Sequence, residues 1–364
     1  MTSSPDGAPL FAVVMAGGAG TRFWPLSRRS RPKQLLPFAH GRSLLAAAVE
    51  RLAPLVAPER TLVVTSAEVA EAVRAELPGL PGANVLAEPE GRDTAACVGW
   101  VAWRLARTAP GAVMVVVPAD HLIPDGSALR SALAAAAATA FARGGLVTLA
   151  VRPTRPETGF GYLEVGEVAG AAGAHQVRSV ARFVEKPDRA AAEAFLAAGT
   201  FRWNSGMFAW RVAAIVDAIR THLPALAAGL DELMDAADGI GEAEALRRHY
   251  PRLQRVSVDF GVMEKASPVW AVEVDFAWSD VGSWAGLAET LPASEGGAAL
   301  GDVLALDCER ALLVSDGPLV AAVGLHDLVV VATRDAVLVV PRDDVQRVKE
   351  LVETLRARGR DELL

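Results

Sequence analysis

Residues 11–38 read FAVVMAGGAGTRFWPLSRRSRPKQLLPF. The apolar run that opens this stretch leads into a glycine-rich bend, which is typical of a β-strand that enters a loop. Gly17, Gly18 and Gly20 have no Cβ, so their backbone can adopt positive φ and bring N–H groups close to an anion. A P-loop is excluded because no Lys-Ser/Thr pair follows, and Phe23 stands where a dinucleotide fingerprint has its third glycine.

Arg22 and Lys33 add positive charge behind the glycines. A glycine-rich turn after a strand can be purely structural, but the basic residues favour an interpretation as a phosphate-binding loop. Only four of the 36 basic residues are lysines, so the chain uses arginine wherever a positive charge suffices. The lysines are therefore candidates for specific contacts, since an ammonium group is not equivalent to a guanidinium group. Lys349 is not counted among these candidates, because it is expected on a terminal amphipathic helix.

Composition limits the class of protein. The 364 residues, 52% of them hydrophobic, are enough for about two domains with sizeable cores. A net charge of −7 argues against a general nucleic-acid surface. The two cysteines, Cys97 and Cys308, lie far apart, and no zinc-type spacing occurs. There is no signal-peptide pattern, and the longest uncharged Ala-rich stretch, 131–142, is shorter than the ~20 residues of a membrane span. We expect a cytoplasmic protein with free thiols that binds neither nucleic acid nor membranes.

Helix and strand patterns alternate between residues 43 and 151. The continuously apolar run at 112–117 is typical of a central parallel strand covered on both faces. This alternation predicts an α/β fold of the doubly wound type, whose ligands bind beyond the carboxyl ends of the strands. Shorter strands and helices follow from residue 152.

A linker is predicted at 291–302, where the sequence reads LPASEGGAALGD. The domains are therefore expected at 1–290 and 291–364. The second alternates short apolar runs with turn residues and ends in a helix, which predicts a small β-rich domain. Its many Val and Leu residues make it a candidate surface for a homodimer.

Two aspartates are candidate metal ligands. Asp120 directly follows the apolar strand in VVVPAD, and Asp280 lies in WSD before a glycine turn. Carboxylate oxygens suit Mg²⁺, which takes one or two carboxylates and shares its other positions with water and substrate phosphates. The alternative is that each aspartate caps a helix or forms a turn.

A third candidate group begins at FVEKP, residues 183–187. Glu185 and Lys186 lie between a predicted strand and a helix that Pro187 starts. A carboxylate and an ammonium held together could bind sugar hydroxyls and a sugar phosphate, and Asn204 adds an amide at a strand bend. The alternative is a solvated turn.

Eight motifs occur in an order that resembles one family: GGAGTRFWPLSRRSRPKQ, EPEGRDTAA, PADH, GFGYLE, FVEKP, WNSGMF, VMEKA and WSDVGSW. In residues 11 to about 290 the chain resembles the sugar-nucleotide pyrophosphorylases, specifically the bacterial mannose-1-phosphate guanylyltransferases, also called GDP-mannose pyrophosphorylases. The resemblance implies a Rossmann-like nucleotidyltransferase domain with a mixed, mainly parallel sheet and a left-handed β-helix-like tail. Bifunctional relatives carry a further isomerase domain, for which this chain is too short, so no phosphomannose isomerase activity is expected.

The resemblance also implies the reaction mannose 1-phosphate + GTP ⇌ GDP-mannose + pyrophosphate, with Mg²⁺ as cofactor. The resemblance also implies four roles for the matching residues. The nucleotide would be bound by Gly17, Gly18, Gly20, Thr21, Arg22, Lys33, Glu88 and Gly91, and the sugar phosphate by Gly161, Glu185, Lys186 and Asn204. The metal ligands would be Asp120 and Asp280, and the catalytic residues would be these two aspartates with Arg22 and Lys33. Two alternatives stay open: a nucleotidyltransferase for another hexose 1-phosphate or NTP, and a non-catalytic paralogue that binds a sugar nucleotide.

The choice of base is predicted from Glu88. Related uridylyl- and thymidylyltransferases tend to have Gln at this position. A carboxylate can accept both N1–H and N2–H of guanine, whereas the N3–H of uracil between two carbonyls suits an amide. Glu88 is therefore predicted to contribute to the choice of guanine, unless it merely caps the following helix.

Overall fold

The computed structural model describes residues 7–18, 20–39, 41–292 and 296–364. The packing of the backbone divides the chain into two units. The first unit contains the chain up to Gly17, Ala48–Ala119 and Ile123–Trp278. The second unit contains Gly18–Ala47, Asp120–Leu122 and Ser279–Leu364. The boundary at residue 290 stays a prediction, and residues 293–295 of the predicted linker lie outside the described residues. The prediction of a linker is wrong for Gly297–Leu300, which form a β-strand because they pair with a later strand of the second unit.

A nine-stranded sheet forms the centre of the first unit. Its strands are β1 (Leu10–Ala16), β2 (Thr61–Ser66), β3 (Val85–Glu88), β4 (Val113–Pro118), β5 (Leu146–Val151), β6 (Tyr162–Ala172), β7 (His175–Val184), β8 (Phe201–Arg211) and β9 (Val269–Val274). They lie in the order β3-β2-β1-β4-β8-β5-β9-β7-β6. All six residues of β5 are buried, as are the first five of β2 and β4. Val- and Leu-rich runs form these strands because both faces of the sheet are covered.

The sheet is mixed, as predicted, but its parallel pairs do not predominate. β1 is parallel to β2 and β4, β2 is parallel to β3, and β5 is parallel to β9. The other four neighbouring pairs are antiparallel. Two of these pairs arise because β8 runs antiparallel between β4 and β5, a position that its place in the sequence does not reveal. The other two arise because β7 runs antiparallel to both β6 and β9.

Eight helices accompany these strands along the chain: α1 (Leu44–Leu52), α2 (Ala70–Glu76), α3 (Asp93–Thr108), α4 (Gly126–Arg143), α5 (Arg189–Ala198), α6 (Val212–His222), α7 (Pro224–Ile240) and α8 (Glu242–His249). Ser43 caps the start of α1, since its hydroxyl accepts the Ala46 N–H at 3.0 Å. The Asp125 carboxylate likewise accepts two N–H groups at the start of α4. The predicted alternation of helix and strand up to residue 151 is confirmed.

Short strands dominate the C-terminal part of the second unit: β10 (Gly297–Leu300), β11 (Val303–Leu306), β12 (Ala311–Asp316), β13 (Val320–Val323), β14 (Leu328–Thr333) and β15 (Val337–Pro341). β10, β12 and β14 pair in parallel, as do β11 and β13, so each of these five strands pairs with the second one along the chain, whereas β15 runs antiparallel to β14. Such stacking of successive turns is the arrangement of a β-helix. The predicted small β-helix-like domain is confirmed. A short helix, α9 (Trp284–Ala288), precedes these strands, and α10 (Val348–Ala357) and a 3-10 turn at Asp361–Leu363 follow them.

An aromatic cluster forms part of the core of the second unit. The ring of Phe23 lies 4.9 Å from that of Trp284 and 5.2 Å from that of Phe38, centroid to centroid. Leu312 and Val329 from the short strands belong to the same buried cluster. The segment after the glycine-rich bend therefore folds together with the C-terminal strands, because their apolar side chains share one core.

In the described part of the chain, none of the helices combines the length and the apolar character that a membrane span requires.

Candidate active site

The glycine-rich bend follows β1, as predicted, and two of its glycines have conformations that disfavour other residues. Gly18 has φ +96° and Gly20 has φ +58°. A Cβ on Gly20 would lie 2.4 Å from the Cβ of Lys33, so glycine is needed there for packing as well. Gly17 has no positive φ, so the predicted conformational role applies to Gly18 and Gly20 only.

Lys33 is the central residue of the site in the second unit. Its side chain is buried, with 7% of the residue exposed. The ammonium donates to Asp120 Oδ2 at 2.7 Å and to the backbone oxygen of Asp280 at 2.6 Å. Lys33 thus bonds to both predicted metal ligands, which lie 160 residues apart in the sequence.

The charge on Asp120 is stabilised in the folded chain. Burial raises the pKa of this carboxyl, but the Lys33 ammonium and, secondarily, His121 lower it more, so the net pKa is lowered. Asp120 is therefore ionised at neutral pH. An ionised carboxylate next to a buried ammonium forms a charge-assisted pair, which is stronger than a neutral hydrogen bond.

Asp280 is oriented by the turn that follows it. The Gly282 N–H donates to Asp280 Oδ1 at 3.0 Å, and a Cβ on Gly282 would lie 2.7 Å from Oδ2. Arg22 donates through Nη1 to the Gly282 oxygen at 3.3 Å. Arg22, the predicted cation, and Asp280, the predicted metal ligand, therefore both form a hydrogen bond with Gly282.

These residues line one cavity of about 310 Å³. Its lining residues all belong to the second unit: Gly20, Thr21, Arg22, Phe23, Lys33, Asp120, His121, Asp280, Gly282 and Lys349. The predicted phosphate-loop residues from Gly20 onward and both predicted metal ligands are therefore brought together. Lys349, which the sequence pattern did not assign, lies with them.

The donor set fits a hard divalent cation. Asp120 and Asp280 both present carboxylates to the cavity, while the residues that the structure describes contain no cluster of three or more His, Cys, Asp or Glu able to hold a metal. The two carboxylates, which line the cavity together with His121, suit Mg²⁺, because this ion takes one or two carboxylates and completes its shell with water and phosphate oxygens. A zinc-type site would need more protein ligands.

The first unit contains a second group of predicted residues. A Cβ on Gly161 would lie 2.4 Å from Glu185 Oε2 and 3.4 Å from the Cβ of Asn204, so the three residues are in contact. The Asn204 N–H also donates to the Gly161 oxygen at 2.8 Å. Lys186 lies next to them with its ammonium 3.3 Å from Glu185 Oε1. This group presents carboxylate, amide and ammonium together, the chemistry that binds sugar hydroxyls and a phosphate.

Sequence reasoning missed Asp259 in this group. Asn204 donates through Nδ2 to Asp259 Oδ1 at 2.7 Å. Burial, assisted by the Glu185 carboxylate, raises the pKa of Asp259 to about 6 against the lowering effect of the Asn204 hydrogen bond. The residue stands in VDFGVMEKA, just before a motif that was noted for the family resemblance. A buried carboxyl with a raised pKa beside predicted binding residues is a candidate binding residue itself.

Glu88 ends β3 and is buried, with 7% of the residue exposed. Burial raises the pKa of its carboxyl to about 7, although a hydrogen bond from the Tyr250 hydroxyl lowers it. Sequence reasoning also missed Tyr250, because it lies 162 residues from Glu88 in the chain. A Cβ on Gly17 would lie 4.0 Å from Glu88 Oε2, which places this glycine near the carboxylate. Gly91 is exposed, and nothing lies within 4 Å of a Cβ built on it.

The family model for the nucleotidyl transferases matches residues 11–295. The chain belongs to the nucleotidyl transferase family. A second model, for the mannose phosphate isomerase/GMP-like β-helix domain, matches residues 301–355 and agrees with the stacked strands. Nucleotidyltransferases of this family generally use a divalent metal ion.

Named relatives cover nearly the whole chain. The xanthan biosynthesis protein XanB of Xanthomonas campestris pv. campestris is 40% identical over 361 residues, which are 96% of this chain and 74% of the relative. The mannose-1-phosphate guanylyltransferase of Klebsiella pneumoniae is 39% identical over 358 residues, 97% of this chain and 75% of the relative. A crystal structure from Thermus thermophilus, named mannose-1-phosphate geranyltransferase, has a TM-score of 0.85 and 40% identity, covering 95% of this chain and 99% of its own.

Proposed function

We propose that this nucleotidyltransferase transfers GMP from GTP to α-D-mannose 1-phosphate, giving GDP-mannose and pyrophosphate. The observation that carries the proposal is the 39% identity to a mannose-1-phosphate guanylyltransferase across 97% of the chain. The cavity around Lys33 supports it, since buried and exposed cations there face two carboxylates suited to a metal. GTP and mannose 1-phosphate are accordingly the proposed substrates.

The reaction needs neither a general base nor a covalent intermediate. An oxygen of the sugar phosphate attacks the α-phosphorus of GTP in line, and the bond to the bridging oxygen breaks with its electron pair passing to pyrophosphate. The nucleophile is already ionised, so catalysis consists of alignment and charge neutralisation. We assign neutralisation to Arg22 and Lys33. When bound, Mg²⁺ held by Asp120 and Asp280 would supply Lewis-acid stabilisation of phosphate charge.

The group around Glu185 is the proposed site for the sugar phosphate. Glu185 and Asn204 would accept and donate hydrogen bonds to sugar hydroxyls, and Lys186 would bind the phosphate. Gly161 supports this role because a larger residue would displace the Glu185 carboxylate. Gly17, Gly18, Gly20, Thr21 and Gly91 are proposed to leave space for the nucleotide, and Glu88 to bind its base.

A coupled pyrophosphate-release assay tests the function. The purified chain is incubated with each of four NTPs and several hexose 1-phosphates in the presence of Mg²⁺. We expect the highest kcat/KM for GTP with mannose 1-phosphate. Preference for another pair would identify a different nucleotidyltransferase, and silence with every pair would favour a non-catalytic paralogue.

We also propose a homodimer formed through the C-terminal strands. Leu304, Leu306 and Val323 are more than half exposed, and Leu306 is opposite Val323 in the pairing of β11 with β13. Adjacent exposed apolar side chains are typical of a surface that another subunit covers. Removing the chain beyond residue 290 is not a suitable test, because Leu312 and Val329 share the core of Phe23 and Trp284.

Light scattering on the full chain and on a variant with Leu306→Glu and Val323→Glu tests the dimer. We expect the wild type at twice its 38.1 kDa and the variant at 38.1 kDa, because two buried charges would oppose association. Val168→Glu, at an exposed apolar residue of the first unit, is the control and should stay dimeric. A monomeric wild type would contradict the proposal.

A further inference from the structure

Lys349 is the second residue of α10, and the fold places it on the wall of the cavity that contains Lys33. The preceding residue, Val348, is 2% exposed and packs in the same core as Phe23 and Trp284. Val352, one helical turn further on, belongs to that core too. The two valines anchor one face of α10, so the position of Lys349 is determined by packing.

The three cations of the cavity differ in their partners. Lys33 is buried and bonded to Asp120 and Asp280, and Arg22 donates to a backbone oxygen. Lys349 is exposed, and among the residues that the structure describes its ammonium has neither an ion-pair partner nor a hydrogen-bond acceptor. Its charge is therefore available for a ligand. The family match does not by itself identify that ligand.

The charges that line the cavity indicate the sign of the charge on that ligand. Three cationic side chains line the cavity against two carboxylates, one of which is neutralised by Lys33. A divalent metal on those carboxylates would make the cavity more positive still. An anion with several charges is the ligand that such a cavity binds best.

We propose that Lys349 binds the pyrophosphate group of GTP, that is, its β- and γ-phosphates, and the free pyrophosphate after transfer. This inference rests on the proposed function. The leaving group gains negative charge as the bond to the α-phosphorus breaks, and a cation beside it stabilises that charge. Lys349 is exposed, whereas Lys33 is buried, so Lys349 can contact pyrophosphate on its way out of the cavity.

Calorimetric titration of the full chain with pyrophosphate and Mg²⁺ tests this role directly. Lys349→Met removes the charge and keeps the length of the side chain, and we expect Kd for pyrophosphate to rise about 5- to 20-fold. Lys349→Arg should restore Kd to within about threefold of wild type, because it restores the charge. Arg358→Met, which removes a charge from the end of the same helix outside the cavity, should leave Kd unchanged.

Kinetics separate this role from a structural one. In Lys349→Met the inhibition constant for pyrophosphate and KM for GTP should rise together, while Kd for GDP-mannose, which lacks the leaving group, stays within twofold. Equal pyrophosphate affinity in Lys349→Met and wild type would overturn the proposal. An equal loss in Arg358→Met would also overturn it, because the effect would then come from net charge. Pyrophosphate binding is measured without turnover, so an inactive wild type would refute the proposed function and leave this test intact.

Discussion

Asp280→Ala is expected to lower kcat at saturating GTP, mannose 1-phosphate and Mg²⁺ by at least about 100-fold. The carboxylate lines the cavity and is oriented by the Gly282 N–H, so its loss removes a proposed metal ligand. The fold should tolerate the change, because Lys33 contacts Asp280 through the backbone oxygen, which alanine retains. The measurement is steady-state turnover over a range of Mg²⁺ concentrations.

The corresponding change at Asp120 requires a different substitution. Its side chain neutralises the buried Lys33 ammonium, and leaving a buried charge without its partner typically costs about 3–5 kcal/mol of stability. A loss of activity in Asp120→Ala could therefore come from unfolding as well as from the loss of a metal ligand. Asp120→Asn keeps an oxygen acceptor for Lys33 and should also reduce turnover by at least about 100-fold while unfolding less readily than Asp120→Ala.

The control for both variants is Asp302→Ala, at an exposed carboxylate of the same unit outside the cavity. It should retain wild-type turnover and the wild-type dependence on Mg²⁺. Near-normal turnover in Asp280→Ala would remove this residue from the proposed metal site. A loss that appears only at low Mg²⁺ concentration and disappears at saturation would contradict the expected fall in kcat, because it would show an effect on metal affinity alone.

Glu88→Gln is expected to lower kcat/KM for GTP by about ten- to a hundredfold while that for UTP changes little. A carboxylate can accept two guanine donors through charge-assisted bonds, which are each worth about 1.5–3 kcal/mol, whereas an amide oxygen is neutral. The Tyr250 hydroxyl can still donate to the amide oxygen, so the side chain should keep its position. An unchanged ratio of kcat/KM for GTP to that for UTP would contradict the role of Glu88.

The same substitution has an opposite effect on stability. Because the pKa of Glu88 is raised to about 7 in the folded chain from 4.5, the folded state binds more protons than the unfolded state between these values. The contribution of Glu88 is therefore fully present below pH 4.5 and is lost as pH rises through 7. Glu88→Gln does not titrate, so at pH 8 it should be more stable than wild type by up to about 3 kcal/mol.

Thermal and urea unfolding without nucleotide at pH 5 and pH 8 measures this difference. The gain should be large at pH 8 and small at pH 5, where the wild-type carboxyl is mostly protonated. Glu68→Gln, at an exposed carboxylate of the same unit, is the control and should be about as stable as wild type at both pH values. A Gln variant that is no more stable at pH 8 would show that burial of Glu88 does not disfavour its ionised form.

Several site residues were beyond sequence reasoning because their partners are distant in the chain. Tyr250 donates to Glu88 across 162 residues, and Asn204 donates to Asp259 across 55. Nothing in the local sequence of Tyr250 or Asp259 distinguishes them from ordinary helix or turn residues. Lys349 did have a signal, since it is one of four lysines, but its local pattern is that of an amphipathic helix.

The local sequence was sufficient for the strands of the first unit and for the glycine-rich bend after β1. Continuous Val and Leu runs specify buried parallel strands, and glycines tolerate positive φ, so both features depend on neighbouring residues alone. The eight sequence motifs were likewise sufficient to predict the family. The tertiary structure alone decided that β8 lies antiparallel between β4 and β5 and that Lys33 pairs with Asp120. It alone brought Lys349 to the glycine-rich loop, because the shared core that positions α10 is assembled from segments more than 300 residues apart.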